Sequence, residues 1–305
     1  MKLSIIIVNY NTKDFLLPTL SAIYLNPPRL DFEIIVVDNA STDGSIELIR
    51  KKFPFVRLIK NSGNVGFARA TNQAIPRTKG EYILFLNPDV IPQWNAIQSL
   101  VDFLEHTQNV GCVGGKLLNT NGSIQFSCRS FPNYINVFFG RQSLLSKLFP
   151  KSPFHKSFLL TEIDHNKTQK VDWIIGACIL TKREILEQIG YLDETFFLFL
   201  EDTDFCYRIK KAGFDTIYFP DALFYHSYGA SINRFWVKSN IAHNISMYRF
   251  FKKHYNPNVI TRLIAMMFLT IRVLVMTCIY YIHEKLLDIR LEKVPKVGLE
   301  PTPHF

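Results

Sequence analysis

Four short apolar runs recur along the first third of the chain: residues 3–8 (LSIIIV), 33–37 (EIIVV), 56–59 (VRLI) and 82–86 (YILFL). Each is too short for a helix, rich in branched side chains and bounded by polar residues, the pattern of a strand buried on both faces. Segments with helical spacing, such as 19–24 and 45–52, lie between them. Strand and helix alternating in this way predict the α/β class, with a mostly parallel central sheet and helices on both faces. An amphipathic helix is expected over 93–106, a further strand over 110–116, strand character again over 171–181, a short helix over 182–189 and a helix starting near Asp202. Residues 117–169 hold many aromatics and cations with few clean periods and read as long connections over the sheet.

Polar clusters follow the runs: Asn9-Tyr10-Asn11, Asp38-Asn39, the stretch from Asn64 through Gly66 to Asn72, and Asn87-Pro88-Asp89. Pro88 has no N–H to extend a ladder, so Asp89 falls at the carboxyl end of its strand. In open α/β sheets ligands bind at that edge. Taken singly, "DNASTDGS" also suits a turn and a helix cap, and "NSGNVGFARATN" a glycine-bearing loop entering a helix. All four converging on one edge point to a binding site.

The net charge of +9 is unevenly spread, with no Asp or Glu between Ala222 and His283 while Arg234, Lys238, Arg249, Lys252, Lys253, Arg262 and Arg272 fall inside. A cationic, aromatic-rich back end suits an anionic partner surface. Nucleic acid is not the expected one: no recognised motif is present, and the aromatics of 131–139 read as packing. Five widely spaced cysteines without a Cys-x-x-Cys pair fit a reducing cytoplasm. The apolar run at the N-terminus meets Asn9 too soon for a signal peptide and reads as the first strand.

The stretches "SIIIVNYN", "IIVVDNASTDGS", "NSGNVGFARATNQAI", "GEYILFLNPDV", "VDWIIGACILTKRE", "GYLDETFFLFLEDTDFCYRIKKAGF" and "FYHSYGAS" together resemble a family-2 glycosyltransferase of the GT-A fold, in its rhamnosyltransferase-like branch. The resemblance covers about residues 1–230, in the same order. It implies an inverting enzyme that moves a sugar from a nucleotide-diphosphate donor, dTDP-rhamnose being the first expectation, to a hydroxyl of a glycan or lipid-linked acceptor in surface polysaccharide synthesis. UDP-galactofuranose, UDP-hexose and GDP-mannose are alternative donors, and a sugar-nucleotide binding protein without turnover is the alternative from another class. A catalytic domain over 1–230 is expected, its nucleotide half about 1–116 and its acceptor half 117–230.

The roles implied by the resemblance are specific. Asn9, Tyr10, Asn11, Asp38, Asn39, Asn64, Gly66, Asn72 and Asn87 would line the donor. Asp89 matches the second acid of the family's Asp-x-Asp motif, where Mg²⁺ or Mn²⁺ bridges carboxylate and diphosphate. Asn87 replaces the first acid, and His226 would add a second metal ligand. Asn39 stands where many relatives have an acid, its amide offering donor and acceptor to a pyrimidine edge. Asp202 of the Glu201-Asp202 pair would be the general base, with Glu201 second. A helix start lowers a carboxylate pKa, while Phe196, Phe197, Phe199 and neighbouring acids raise it. Asp204 and Arg208 have the spacing of a surface pair. Trp173, Gly176 and Ala177 would lie under the acceptor sugar.

Behind this domain, residues 231–256 read as a basic helical segment, 257–283 as an apolar membrane-associated helix and 284–305 as a disordered tail with three prolines. The apolar stretch 259–282 is long enough to span a bilayer, but Arg272 lies near its middle. A helix in the plane of the interface, with Arg262 and Arg272 on anionic headgroups, would satisfy those charges. The expected location is the cytoplasmic face of the cell membrane, peripheral or anchored by one helix.

Overall fold

The computed structural model describes residues 1–133, 149, 152–227 and 236–292. Its sheet begins with β1 (Leu3–Asn9), β2 (Phe32–Asp38), β3 (Arg57–Lys60) and β4 (Tyr82–Leu86), paired in parallel in the order β3-β2-β1-β4. All seven residues of β1 are buried. Its side chains alternate between two cores: Leu3, Ile5 and Ile7 enter one, Ile6 and Val8 the other. α1 (Lys13–Leu25) and α4 (Ala96–His106) cover the first face through Leu16, Leu20, Ile97 and Leu100. α3 (Phe67–Ala74) covers the second through Ala68, Ala70 and Ala74. α2 (Ser45–Lys52) follows β2 as expected.

Beyond β4 the sheet is mixed. β5 (Val90–Pro92), β6 (Val110–Leu118), β11 (Cys178–Lys182) and β12 (Asp215–His226) complete the path β4-β11-β6-β12-β5, with β11 antiparallel to both neighbours and β12 parallel to β6. β6 straddles residue 116, so the two expected halves hang on one sheet. The irregular region contributes β7 (Ile124–Gln125), β8 (Cys128–Arg129), α5 (Pro153–Leu159) and β9 (Gln169–Val171). The expected packing of the aromatics at 131–139 falls mostly outside the described residues.

The strand expected over 171–181 is broken between β10 (Trp173–Ile174), which pairs with β8 in a separate ribbon, and β11. The interruption has partners of its own: Ile175 N–H donates to Ser127 O at 2.9 Å, Gly176 N–H to Asp202 Oδ2 at 2.6 Å, and Ala177 O accepts from Asn87 N–H at 2.9 Å. The ladder is given up for two backbone bonds to neighbouring segments and one to the Asp202 side chain.

α6 (Arg183–Ile189) and α7 (Glu201–Lys211) precede β12, and α8 (Trp236–Tyr255) and α9 (Val259–Glu292) follow it. Met247, Phe250 and Phe251 of α8 and Leu269 of α9 form a third apolar cluster with Phe196 and Leu200 of the loop before α7. α9 continues past the expected apolar segment, taking residues 284–292 of the expected tail into helix, where Leu, Glu, Lys and Arg favour it. Residues 293–305 lie outside those described. Residues 259–282 are long and apolar enough to cross a membrane, and Val259, Ile260, Leu263, Leu274 and Ile282 are exposed.

Candidate active site

The ends of β1, β2 and β4 bring the polar clusters to one edge. Asn9, fully buried, donates from Nδ2 to Asp38 Oδ2 at 2.7 Å and to Ser41 Oγ at 2.9 Å, while its Oδ1 accepts from Thr12 at 2.6 Å. Asp38 also accepts the Ser41 N–H at 2.8 Å. Asn11, at φ 54°, accepts the Thr42 N–H at 2.7 Å, and Tyr10 beside it is half-buried. Asn39 has both ends of its amide engaged within the chain: Nδ2 reaches Gly66 O at 3.2 Å and Asn64 Oδ1 at 3.4 Å, and Oδ1 accepts from Asn61 at 2.8 Å. These side chains bond one another into a wall at the sheet edge. The offer of the whole Asn39 amide to a base, expected from sequence, is not what the fold presents.

Gly66 closes this wall against the loop carrying the acids. Its φ is +87°, and a Cβ there would stand 2.5 Å from the carbonyl oxygen of Phe197, the same oxygen that accepts the Phe67 N–H at 2.9 Å. Only glycine meets both conditions. Asn72, expected on the donor, lies apart from that edge and clamps Leu192, its Nδ2 donating to Leu192 O at 2.8 Å and its Oδ1 accepting the Leu192 N–H at 3.1 Å.

The Asn87-Pro88-Asp89 turn is held from α1, where Thr19 donates to Pro88 O at 2.8 Å. Asn87 is half-buried, and its side chain makes no hydrogen bond to a described residue. Asp89 and His226 are both buried, with Oδ1 and Nε2 3.4 Å apart. His226 Nδ1 faces Gln125 Oε1 at 2.5 Å, and the Gln125 amide nitrogen donates to Asn119 at 3.0 Å, which orients it. Donation to Gln125 uses a proton on Nδ1 and leaves Nε2 facing the Asp89 side chain. A carboxylate oxygen and an imidazole nitrogen turned to each other, with the outer ring nitrogen fixed, are two ligand atoms for one divalent cation, the carboxylate being the one that suits Mg²⁺ or Mn²⁺. Among the described residues no third His, Cys, Asp or Glu joins them.

Glu201 and Asp202 open α7. Phe199 and Leu200 just before them sit at φ 66° and 65°, each costing about 1 kcal/mol or more for a residue with a side chain. Burial of Leu200 with Phe196 in the third cluster holds this backbone in place. Phe196 is buried, but Phe197 is 47% exposed and contributes its carbonyl, not the desolvation expected of its ring. Asp202 accepts the Gly176 N–H, and its Oδ1 accepts the Thr203 N–H at 2.6 Å. Burial raises its pKa, opposed by these bonds and the Arg129 charge. Burial and then repulsion from Asp202 push Glu201 well above the usual carboxylate range. Trp173, Gly176 and Ala177 lie on the segment bonded to it, and Arg129 stacks over Trp173 at 5.4 Å.

The Asp204–Arg208 pair forms at 2.8 Å but is not a surface pair, because Asp204 is fully buried. Lys253 and His254 of α8 reach its other oxygen at 2.6 and 2.7 Å. Against the upward effect of burial, His254, Arg208 and Lys253 together hold it down at about 2. The acid helix is thereby ionically tied to the basic segment behind it. Gln125, Ser41, Asn61 and Arg129 escaped the sequence reading; Gln125 and Arg129 lie in two-residue strands too short to show a period.

The family model described as "Glycosyl transferase family 2" matches residues 4–190. An N-acetylglucosaminyl-diphospho-decaprenol L-rhamnosyltransferase of Mycobacterium tuberculosis is 28% identical over 261 residues, covering 81% of this chain and 83% of the relative. The low-salt glycan biosynthesis hexosyltransferase Agl10 of Haloferax volcanii is 29% identical over 213 residues, 68% of this chain and 62% of the relative. Among solved structures, the mannosyltransferase PcManGT of Pyrobaculum calidifontis in complex with GDP-Man and Mn²⁺ aligns with a TM-score of 0.58 at 22% identity, over 84% of this chain and 65% of that one. That likeness carries the fold, a mixed sheet flanked by helices. With the family model covering well over half of the sequence, the chain belongs to glycosyl transferase family 2 and has the GT-A fold.

Proposed function

We propose that this glycosyltransferase moves rhamnose from dTDP-rhamnose, with inversion, to a hydroxyl of a lipid-linked glycan at the cytoplasmic face of the membrane. The observation that carries the reading is the similarity to the mycobacterial L-rhamnosyltransferase across most of both chains. The donor lies along the edge formed by Asn9, Tyr10, Asn11, Asp38, Asn39, Asn64, Gly66 and Asn87, with the acceptor sugar over Trp173, Gly176 and Ala177. Asp202 takes the proton from the acceptor hydroxyl as its oxygen attacks the anomeric carbon and the bond to the diphosphate breaks. Its two backbone bonds orient it, and its raised pKa suits a base. Asp89 and His226 would hold Mg²⁺ or Mn²⁺, which neutralises the departing diphosphate.

Free thiols at all five cysteines and the exposed apolar residues of α9 support a membrane-attached protein in a reducing compartment. The test is a panel of nucleotide sugars with and without Mn²⁺, followed by thermal melting and by transfer to an N-acetylglucosaminyl-diphospho-lipid. dTDP-rhamnose should raise the melting temperature most and give a rhamnosylated lipid product. A larger shift and turnover with another donor would refute the rhamnose reading.

A further inference from the structure

The loop that leads into the acids, residues 190–200 between α6 and α7, is gripped from two sides. On the side of the sheet edge α3 holds it: Asn72 clamps Leu192, and the Phe67 N–H donates to Phe197 O. On the other side α8 holds it through side chains on successive turns. Ser246 Oγ donates to Leu198 O at 2.9 Å, Arg249 donates to Thr195 O, and Lys253 Nζ reaches Asp193 Oδ2 at 2.6 Å. Positions 246, 249 and 253 share one face of the helix. Met247, Phe250 and Phe251 pack beside them in the cluster with Phe196 and Leu200. α9 backs this contact through Leu269, buried in the same cluster, with Met276 buried one stripe further on. Arg272 lies between those two on the inward stripe and is half-buried, so it is directed into the protein and not, as the sequence suggested, onto headgroups.

Of these bonds, the one from Ser246 stands nearest the acids. A helical serine commonly returns its hydroxyl to the carbonyl one turn back, but this one reaches across to another segment. Ser246 is 2% exposed, so the hydroxyl serves the loop and not solvent. Leu198 O belongs to the planar peptide unit that enters Phe199, and a bond to it fixes the plane from which the turn begins. Phe197 O, one peptide earlier, is held by α3. With successive carbonyls tied to different elements, neither plane turns alone. The turn needs this restraint, because Phe199 and Leu200 are both at positive φ, a conformation that residues with side chains leave unless their surroundings prevent it. Two positions on, Asp202 accepts the Gly176 N–H at 2.6 Å.

We propose that Ser246 is a positioning residue for the transfer reaction: by holding the Leu198 carbonyl it keeps the Phe199–Leu200 turn in the conformation that presents Asp202 to the acceptor. The proposal rests on the reading of Asp202 as the base given above. Its consequence is that α8 takes part in catalysis through the loop, besides joining the catalytic domain to α9.

Full-length protein in detergent is compared as wild type, Ser246→Ala, Ile245→Gly, Asp202→Asn and the double variant of Ser246→Ala with Asp202→Asn. Steady-state transfer, melting temperature and backbone hydrogen exchange are recorded for each. Ile245 is 47% exposed on α8, so glycine there weakens the helix and removes none of the loop contacts. Ser246→Ala should lower kcat about tenfold or more and leave the donor KM within about twofold, because a small displacement of a reacting group is costly while the donor edge is untouched. Exchange should quicken at residues 198–204 and stay unchanged in β1 to β4. In the Asp202→Asn background Ser246→Ala should lower the residual turnover less than about threefold, since a residue acting through Asp202 has little left to position. Unchanged kcat in Ser246→Ala overturns the proposal. So does a fall of the same size in Ile245→Gly, which would mean general loosening of α8, or a loss confined to donor KM, or full additivity with Asp202→Asn. Exchange decides independently of any donor: unchanged protection at 198–204 in Ser246→Ala overturns the proposal even where no transfer is measured. Wild-type turnover in Asp202→Asn counts against the base itself, whereas loss there beside an unaffected Ser246→Ala counts against the positioning alone.

Discussion

Replacing Asp204 with Asn removes one charge from the junction of α7 and α8 while keeping the side chain's size. In the wild type this carboxylate is buried under Arg208, Lys253 and His254, and its pKa falls from 3.8 to about 2. At 1.36 kcal/mol per unit the drop corresponds to roughly 2–3 kcal/mol of stability at neutral pH. Lys253 retains Asp193 at 2.6 Å, and Arg208 retains the carbonyls of Ile189, Gly190 and Tyr191. The pH dependence has a definite sign. Because the folded pKa lies below the unfolded one, the contribution is complete above about pH 4 and lost as pH falls through about 2. Urea unfolding followed by tryptophan fluorescence should put Asp204→Asn roughly 2–3 kcal/mol below wild type near pH 7, with the gap roughly halved near pH 3. A variant as stable as wild type at neutral pH, or a gap that does not shrink on acidification, would refute the ionic account of this junction.

Asp202→Asn should lower turnover roughly 10²-fold or more while donor affinity survives, measured by steady-state kinetics and nucleotide titration; loss of donor binding would instead give Asp202 a structural role. Asp89→Ala should abolish transfer and remove the effect of Mn²⁺ on nucleotide affinity, and wild-type turnover in that variant would exclude Asp89 as a metal ligand. Gly66→Ala should cost roughly 1–3 kcal/mol, since its Cβ meets the Phe197 carbonyl at 2.5 Å at positive φ; a thermal melt unchanged from wild type would contradict the close approach. Truncation after Asn256 removes α9 and should shift the protein from the membrane to the soluble fraction; wild-type protein already soluble in cell fractionation would rule out attachment.

The strands β1 to β4, the helix Ser45–Lys52 and the start of α7 near Asp202 could be read from the chain because each is set by neighbours in sequence. Branched apolar runs choose a strand locally, and Pro88 ends one by lacking an N–H. The polar clusters could likewise be placed at one edge, because a parallel sheet puts the ends of its strands together. What each side chain does there depends on distant partners. Asn39 meets Asn61 and Gly66 where a base edge was expected, Gln125 fixes His226 from 101 positions away, and Gly176 interrupts a strand to reach Asp202. Asp204 looked like half of a surface pair until α8 folded over it, and Arg272 looked like a headgroup ligand until α9 turned its Leu269 and Met276 stripe inward. Local pattern fixes which backbone hydrogen bonds form, but the partner and burial of a polar side chain are decided by elements packed against it from elsewhere in the chain.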